Sequence, residues 1–317
     1  MASAAVQTLT DIVPKLGDED KYVRSEALEK LRVFMKTGGL EAGVLAHHIV
    51  PRLDDEYWRV RDRAVQALEE LEELEPGVIA EYADNIVPRL KDEDLMVRES
   101  AVRLLGNLEP EVLAKYAHNI VPAIGDEDDS VRFVALGNMR AVMETVGLEP
   151  GVLAEYVDKI VPRLDDECCF CRSFAIQALL QLEPEVFAKY VHLIVLRFDD
   201  KDECVRRVAV GALEELEPGV LADYAGDISR MLTDEDEYVR LYALRTLFPL
   251  GPHVHARYVG EIVSYLALGD DLAPPSAAGV VEACTTAVDA LAEVPLVALM
   301  PHRYTLQTLR LNVKVAE

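Results

Sequence analysis

Positive charge is scarce in this sequence. Its 317 residues include 32 lysines and arginines against 57 aspartates and glutamates, which gives a formal net charge of −25. Nucleic-acid phosphates bind proteins through cations that displace condensed counterions, so this balance argues against nucleic acid as a partner. A strongly acidic surface instead attracts basic protein segments and divalent cations. We therefore expect a protein partner with basic segments.

Long hydrophobic runs are also missing. A membrane-spanning helix needs roughly 20 consecutive apolar residues, and the most apolar stretch, 277–300, is interrupted by Glu282, Asp289, Glu293 and Pro295. The first residues show neither the basic nor the apolar region of a secretory signal. Five cysteines, an odd number, favour a reducing compartment. We expect a cytoplasmic protein, or a nuclear one, that does not span a membrane.

The sequence motifs of common catalytic sites are absent as well. There is no Gly-x4-Gly-Lys phosphate loop, no Gly-x-Ser-x-Gly elbow and no His-Glu-x2-His zinc motif. The seven histidines are scattered, and none is followed by glutamate. These observations predict that the protein is not an enzyme and holds no cofactor.

What the sequence does contain is a repeat. Seven arginines, six of them preceded by valine, recur every 34 to 40 residues; each has an aspartate six residues before it and an alanine three residues after it. The aspartate–arginine pairs are Asp18 and Arg24, Asp55 and Arg61, Asp92 and Arg98, Asp126 and Arg132, Asp166 and Arg172, Asp200 and Arg206, and Asp234 and Arg240. Seven matches at three offsets identify a repeated structural unit.

Each unit predicts two antiparallel helices. The first half follows the consensus Pro-x-Val-x-Ala-x-Tyr-x3-Ile-Val-Pro-Arg-Leu, whose apolar spacing is that of one helix face. We call this helix A. An acidic turn then supplies the N-cap and first-turn carboxylates of helix B. The second proline of the consensus is expected to kink helix A, and because Leu196 and Arg230 replace it, straighter A helices are expected in those two repeats.

This pattern resembles the HEAT-repeat family over about residues 2 to 268, on the strength of the helix-A proline, the acidic turn and the Asp-x5-Arg spacing. The resemblance implies an all-α fold, a right-handed α-α superhelix with about seven full helical hairpins and a degenerate one from about residue 252. It also implies that the repeated Asp and Arg side chains form a ladder between neighbouring repeats. We expect one solenoid domain over 1–294 and a capping helix or tail over 295–317.

A repeat solenoid binds partners through positions that differ between its repeats, and B helices line the concave face. Offsets one, five and eight from each repeated arginine lie away from the core. Together they give the candidate partner-binding residues Glu29, Asp62, Gln66, Glu69, Glu99, Arg103, Phe133, Gln177, Leu180, Leu241, Arg245 and Phe248. The favoured function is therefore a non-catalytic scaffold or adaptor.

Three alternatives stay open. By resemblance, the chain is also similar to HEAT-like subunits associated with an enzyme, such as a phycobilin lyase component. Cys168, Cys169, Cys171 and Cys204 cluster in sequence and stacking, and zinc favours thiolates, but the role of a small hydrophobic residue is favoured for them over a metal or redox role. The acidic turns lack the central glycine of a calcium loop, which leaves weak cation binding beside their role as helix caps.

Overall fold

A computed structural model of the chain describes residues 9–36, 42–268, 285 and 287–308. Throughout these residues the chain forms helices and turns and contains no strand, which confirms the predicted all-α fold class. The molecule consists of two compact units, Met1–Pro162 (unit 1) and Arg163–Glu317 (unit 2). The single domain over 1–294 and the superhelix handedness stay predictions.

Unit 1 is a succession of helical hairpins. Its α-helices are α1 (Lys21–Met35), α2 (Ala42–Ile49), α3 (Trp58–Leu74), α4 (Ala83–Ile86), α5 (Leu95–Gly106), α6 (Pro110–Leu113), α7 (Ala117–Ile120), α8 (Asp129–Thr145) and α9 (Pro150–Ile160). Of these, α1, α3, α5 and α8 are the B helices, and each packs against the next in order.

Unit 2 continues the same pattern. Its α-helices are α10 (Cys169–Leu179), α11 (Pro184–Phe187), α12 (Val191–Val195), α13 (Glu203–Ala212), α14 (Pro218–Leu221), α15 (Ala225–Arg230), α16 (Glu237–Leu247), α17 (Pro252–Arg257), α18 (Val259–Leu268), α19 (Leu296–Leu299) and α20 (Arg303–Thr308). Here α10, α13 and α16 are the B helices. Residues 9–12 and 287–292 are helical too. The turn of the predicted degenerate repeat, 269–284, and the end of the predicted tail, 309–317, lie outside the described residues.

The acidic turns start the B helices as predicted. Five N-cap aspartates accept a hydrogen bond from a backbone N–H of the first helical turn: Asp20, Asp94, Asp128, Asp202 and Asp236. Such a cap stabilises a helix by about 1 kcal/mol. Tyr57 and Cys168 stand at the corresponding positions of α3 and α10 and make no side-chain cap hydrogen bond.

Helix A is segmented rather than continuous in most repeats. In the repeat that contains Arg132, for example, α6 is followed by the 3-10 helix Ala114–Tyr116, then by α7, and then by the 3-10 helix Val121–Gly125. The remaining 3-10 helices are Val13–Gly17, Val50–Asp54, Val78–Tyr82, Val87–Lys91, Val161–Asp165, Leu196–Asp199, Leu213–Glu215, Ala222–Tyr224, Met231–Thr233, Phe248–Leu250 and Met300–His302.

The expectation of straighter A helices at Leu196 and Arg230 stays a prediction, although the lengths of the helical segments differ there. The α-helical part lengthens from 4 residues in α4 and α7 to 5 in α12 and 6 in α15. The chain nevertheless still tightens into a 3-10 helix before the acidic turn. Proline advances this change by a residue or two, but the change itself is a property of the turn, which must end in the extended conformation seen at Asp200.

Small residues and leucines form the core between the helices. The repeated alanines Ala64, Ala101 and Ala209 are fully buried, which lets adjacent helices approach closely. Leu28, Leu68 and many equivalent aliphatic side chains fill the remaining space. Each such buried side chain contributes about 1.5–3 kcal/mol relative to an exposed one.

Candidate functional site

The repeated arginines and aspartates meet between neighbouring repeats. Arg61 donates from Nε and Nη2 to the two carboxylate oxygens of Asp92, at 2.7 and 2.6 Å. Its Nη1 donates to the backbone carbonyls of Asp55 and Glu56, in its own repeat. The aspartate six residues before each arginine therefore offers its carbonyl, while the carboxylate comes from the following repeat.

Among the described residues, the same bidentate contact between an arginine and the aspartate of the next repeat occurs five times, and we call each such pair a rung of the ladder. They are Arg24 with Asp55, Arg61 with Asp92, Arg98 with Asp126, Arg172 with Asp200, and Arg206 with Asp234. Arg132 binds the carbonyls of Asp126 and Glu127. The carboxylates of Asp18 and Asp166 each accept a backbone N–H two residues later. Bidentate hydrogen bonds between a guanidinium and a carboxylate are stronger than hydrogen bonds between neutral groups.

At the end of this row, Arg240 donates from Nη1 to the carbonyls of Asp234 and Glu235. Within the described residues its buried Nη2 has no hydrogen-bond partner.

The pKa values follow from these contacts. Burial tends to raise the pKa of Asp55, but the hydrogen bonds from Arg24 and from the Tyr57 amide outweigh it, so this pKa is lowered. The pKa of Asp200 is lowered in the same way by Arg172. The hydrogen bond to Asp55 raises the pKa of Arg24. These charges are therefore held in their ionised forms.

The ladder arginines and the carboxylates next to them differ in their exposure to solvent. The arginine side chains of the five rungs are buried and only 5–9% exposed. The carboxylates around them remain in solvent, with side chains 71–87% exposed: Asp54, Glu56, Glu93 and Glu127 in unit 1, and Asp165, Asp199 and Glu235 in unit 2. We call the four of these residues in unit 1 the ladder edge.

A second repeated contact was not predicted. In the Pro-Arg-Leu stretch, Arg52 donates to the Leu16 carbonyl and Arg89 to the Leu53 carbonyl, each at 2.9 Å. Arg197 makes the same bond at 3.2 Å in unit 2. These arginines bind the 3-10 helix of the preceding repeat. Their recurrence in the consensus was the available signal, although it does not show which group they bind.

The predicted B-helix face is largely paired within unit 1. Arg103 binds Glu99 at 2.8 Å and Glu69 at 3.3 Å. Arg32 binds Glu29 at 3.3 Å and contacts Gln66 and Glu70, each at 2.9 Å. The carboxylates chosen for their variation between repeats therefore already have cationic partners.

Asp62 lies apart from this description because it is buried. Its carboxylate accepts hydrogen bonds from Ser100 Oγ in the next repeat and from Gln66, each at 2.8 Å. Burial raises the pKa of Asp62 despite these two hydrogen bonds. A residue with 6% exposure offers no surface to a partner, so Asp62 joins two B helices instead.

The apolar candidates occupy varied positions. Phe133, Gln177, Leu180 and Leu241 are half-buried. Phe248 is 41% exposed, and its ring stacks on that of His255 with centroids 5.9 Å apart. Arg245 is exposed and lies 3.7 Å from Glu214.

The cysteines show no shared site. Cys171 is buried, Cys168 and Cys169 are half-buried, and Cys204 is exposed, where its Sγ accepts a hydrogen bond from Arg207. Among the residues described, no three His, Cys, Asp or Glu side chains are grouped as metal ligands. In the same part of the chain, no helix has the length and apolar character needed to cross a membrane.

Comparison with known proteins gives one family. Residues 58–108 match the model of the HEAT-like repeat; this segment spans α3, the following helix A and α5. The match confirms the HEAT-type resemblance seen in the sequence. No curated protein matches the chain. It is similar to the crystal structure of an engineered protein, a target of the Northeast Structural Genomics Consortium, with a TM-score of 0.47 and 18% identity over 66% of this chain and 96% of that one.

Proposed function

We propose that the protein is a non-catalytic scaffold that binds a protein partner through basic segments of that partner. The observation that carries this proposal is the separation of charge at the ladder edge. Its carboxylates are exposed, whereas the ladder arginines that contact Glu56, Glu93 and Glu127 at 3.2–3.3 Å are buried and also bind the ladder aspartates and backbone carbonyls. The edge therefore presents more negative charge than its composition alone would suggest.

Such an arrangement favours lysine- and arginine-rich segments for a physical reason. Exposed carboxylates raise the local concentration of cationic partners and steer their approach, and this attraction weakens as salt screens it. Because Glu56, Glu93 and Glu127 recur once per repeat in unit 1, an extended basic segment could meet several of them in turn. The B-helix face is less suited to this task, because the side chains of Glu69 and Glu99 are only 22–23% exposed, against 82–87% for the three ladder-edge glutamates.

The test uses a short peptide of alternating lysine and alanine, titrated by calorimetry at low and at physiological ionic strength. We expect the triple variant Glu56→Gln, Glu93→Gln, Glu127→Gln to bind it roughly threefold to hundredfold more weakly, since exposed ion pairs contribute about 0.2–1 kcal/mol each. The salt dependence of binding should also become shallower.

A matched control removes the same charge elsewhere in unit 1. Glu73, Glu81 and Glu111 are exposed and lie off the ladder edge, so their triple Gln variant should bind almost as the unmodified protein does. Equal weakening in both triple variants would mean that net charge alone, and no particular surface, attracts the peptide. Absence of binding by the unmodified protein at low salt would refute the proposal.

A further inference from the structure

Two tyrosines of unit 1, the exposed Tyr22 and the half-buried Tyr57, form a corner around a lysine. The rings of Tyr22 and Tyr57 meet edge to face, with centroids 5.8 Å apart and planes at 70°. The Nζ of Lys21 lies 4.5 Å from the Tyr57 centroid and 5.5 Å from that of Tyr22. Both distances fall within the range of a cation–π interaction. We call Tyr22 and Tyr57 the aromatic corner.

Tyr57 is an unusual choice for its position. It is the N-cap of α3, where five other B helices carry an aspartate that accepts a backbone hydrogen bond. Tyrosine cannot make that bond, so α3 gives up a recognised source of helix stability. A residue that breaks a local rule without a local gain is expected at sites kept for function.

The surroundings of the corner are apolar on one side. The Trp58 ring lies next to Tyr57, with centroids 6.0 Å apart. Tyr22 is 60% exposed, and Leu95 and Met96, in the first turn of the next B helix, are 41% and 42% exposed. Large side chains are left in solvent at the starts of α1 and α5, with the half-buried Tyr57 and Trp58 at the start of α3, and together they mark a surface suited to a partner.

The charge around the corner is negative. Glu19 and Asp20 directly precede Lys21 and are exposed, and Asp54 and Glu56 stand just before Tyr57 with side chains 80% and 82% exposed. The positive end of a helix dipole is equivalent to about half a charge, so these carboxylates outweigh it. Within the described residues Lys21 pairs with none of them, and the tyrosine rings are its contacts.

We propose that the aromatic corner accepts a lysine side chain of the partner's basic segment, which takes the place of Lys21 over the two rings. This inference rests on the proposed function and names where one lysine of such a segment binds. The ammonium group would lie on the ring faces with the carboxylates beside it, while the aliphatic part of its side chain packs along Trp58. Lys21 is exposed and its contact with the rings is therefore weak, so a partner that adds further contacts can displace it.

The test relies on Tyr57→Asp, which removes a ring, adds a negative charge and restores the N-cap aspartate of the other repeats. If charge alone attracts the lysine–alanine peptide, this variant binds it more tightly. If the ring holds the lysine, we expect binding two- to fivefold weaker by calorimetry, the loss of one exposed cation–π contact. Restoring the cap contributes about 1 kcal/mol of helix stability, and a urea unfolding curve of the variant checks that the fold is kept.

Three further measurements complete the test. Lys21→Ala should strengthen binding by a similar factor, because the rings are then vacant. A peptide with acetylated lysines should not bind. The fluorescence of Trp58, the sole tryptophan, should change with the lysine peptide and remain constant with the acetylated one.

The matched control is Tyr238→Ala in unit 2. Like Tyr22, Tyr238 precedes its ladder arginine by two residues, and a cation, Arg207, lies 5.0 Å from its ring, but among the described residues no second ring faces it. This variant should bind like the unmodified protein. Tight binding of the lysine peptide that Tyr57→Asp leaves equal or improves would overturn the aromatic corner while the scaffold proposal stands; failure of any basic peptide to bind would refute both.

Discussion

In unit 1, the ladder and the B-helix face both contain pairs of oppositely charged side chains, but the two kinds of pair differ in burial. On the ladder, arginine and aspartate are buried together, as in Arg61 and Asp92 at 7% and 3% side-chain exposure. On the B-helix face, Arg103 is 40% exposed and its two glutamates are near 22–23%. The arginine–aspartate pair of the ladder is therefore buried, whereas the Arg103 pairs lie nearer the surface.

This difference teaches which charges carry stability. A buried ion pair is costly to form, but breaking it leaves a charge without a partner in a poorly solvated place. An exposed pair can exchange its partner for water at little cost. The ladder therefore fixes the stacking of repeats, whereas the B-helix face can tolerate change.

The largest effect should come from removing one ladder arginine. We expect Arg61→Ala to destabilise unit 1 by about 3–5 kcal/mol, because the buried Asp92 loses its partner. Arg103→Ala on the B-helix face should cost about 1 kcal/mol or less. Urea unfolding followed by Trp58 fluorescence measures both, and similar losses from the two variants would remove the distinction drawn above.

A smaller effect is expected from a glycine of the B-helix face. A Cβ on Gly106 would stand 2.3 Å from Asn138 Oδ1, and Asn138 donates to the Val102 carbonyl at 2.7 Å. Gly106→Ala should therefore destabilise the protein by about 1 kcal/mol, the value of that hydrogen bond. The control Gly151→Ala, with no atom within 4 Å of the new Cβ, should gain up to about 1 kcal/mol from helix propensity. Thermal unfolding distinguishes the two, and a gain at Gly106 would show that Asn138 moves freely.

The smallest effect concerns pH and has opposite signs in the two regions. The pKa of Asp55 is lowered by Arg24, so its stabilisation is present above the unfolded pKa of about 3.9 and lost as the pH falls through the folded value. Burial raises the pKa of Asp62, so its contribution is present below the unfolded pKa and lost as the pH rises through the folded value.

Asp62→Asn should thus become more favourable, relative to the unmodified protein, between acidic and neutral pH, by less than about 1 kcal/mol. Asp55→Asn should become less favourable over the same interval. Unfolding in urea at the two pH values measures both changes, and parallel behaviour of the two variants would contradict the different environments assigned to these carboxylates.

Much of the fold could be predicted because its signals are local. Proline at the start of helix A and an acidic turn before helix B are decided within a few residues, and both lie where the repeat pattern places them. The segmentation of helix A was not predicted, since apolar spacing does not distinguish an α-helix from an α-helix interrupted by 3-10 turns. The partner-binding residues were harder still. The repeat pattern predicts that Asp62 is exposed. Its side chain is instead buried, where it accepts a hydrogen bond from Ser100 of another helix.

The sequence by itself determined the repeat, its division into helices A and B, and the positions of the ladder residues. Each of these follows from a short pattern used seven times. Only the tertiary structure decided which charges meet. Arg24 pairs with Asp55, 31 residues away, and Asp62 with Ser100, 38 residues away. Tyr22 faces Tyr57 in the same manner. Such contacts depend on the spacing and angle between stacked repeats, which no single repeat encodes.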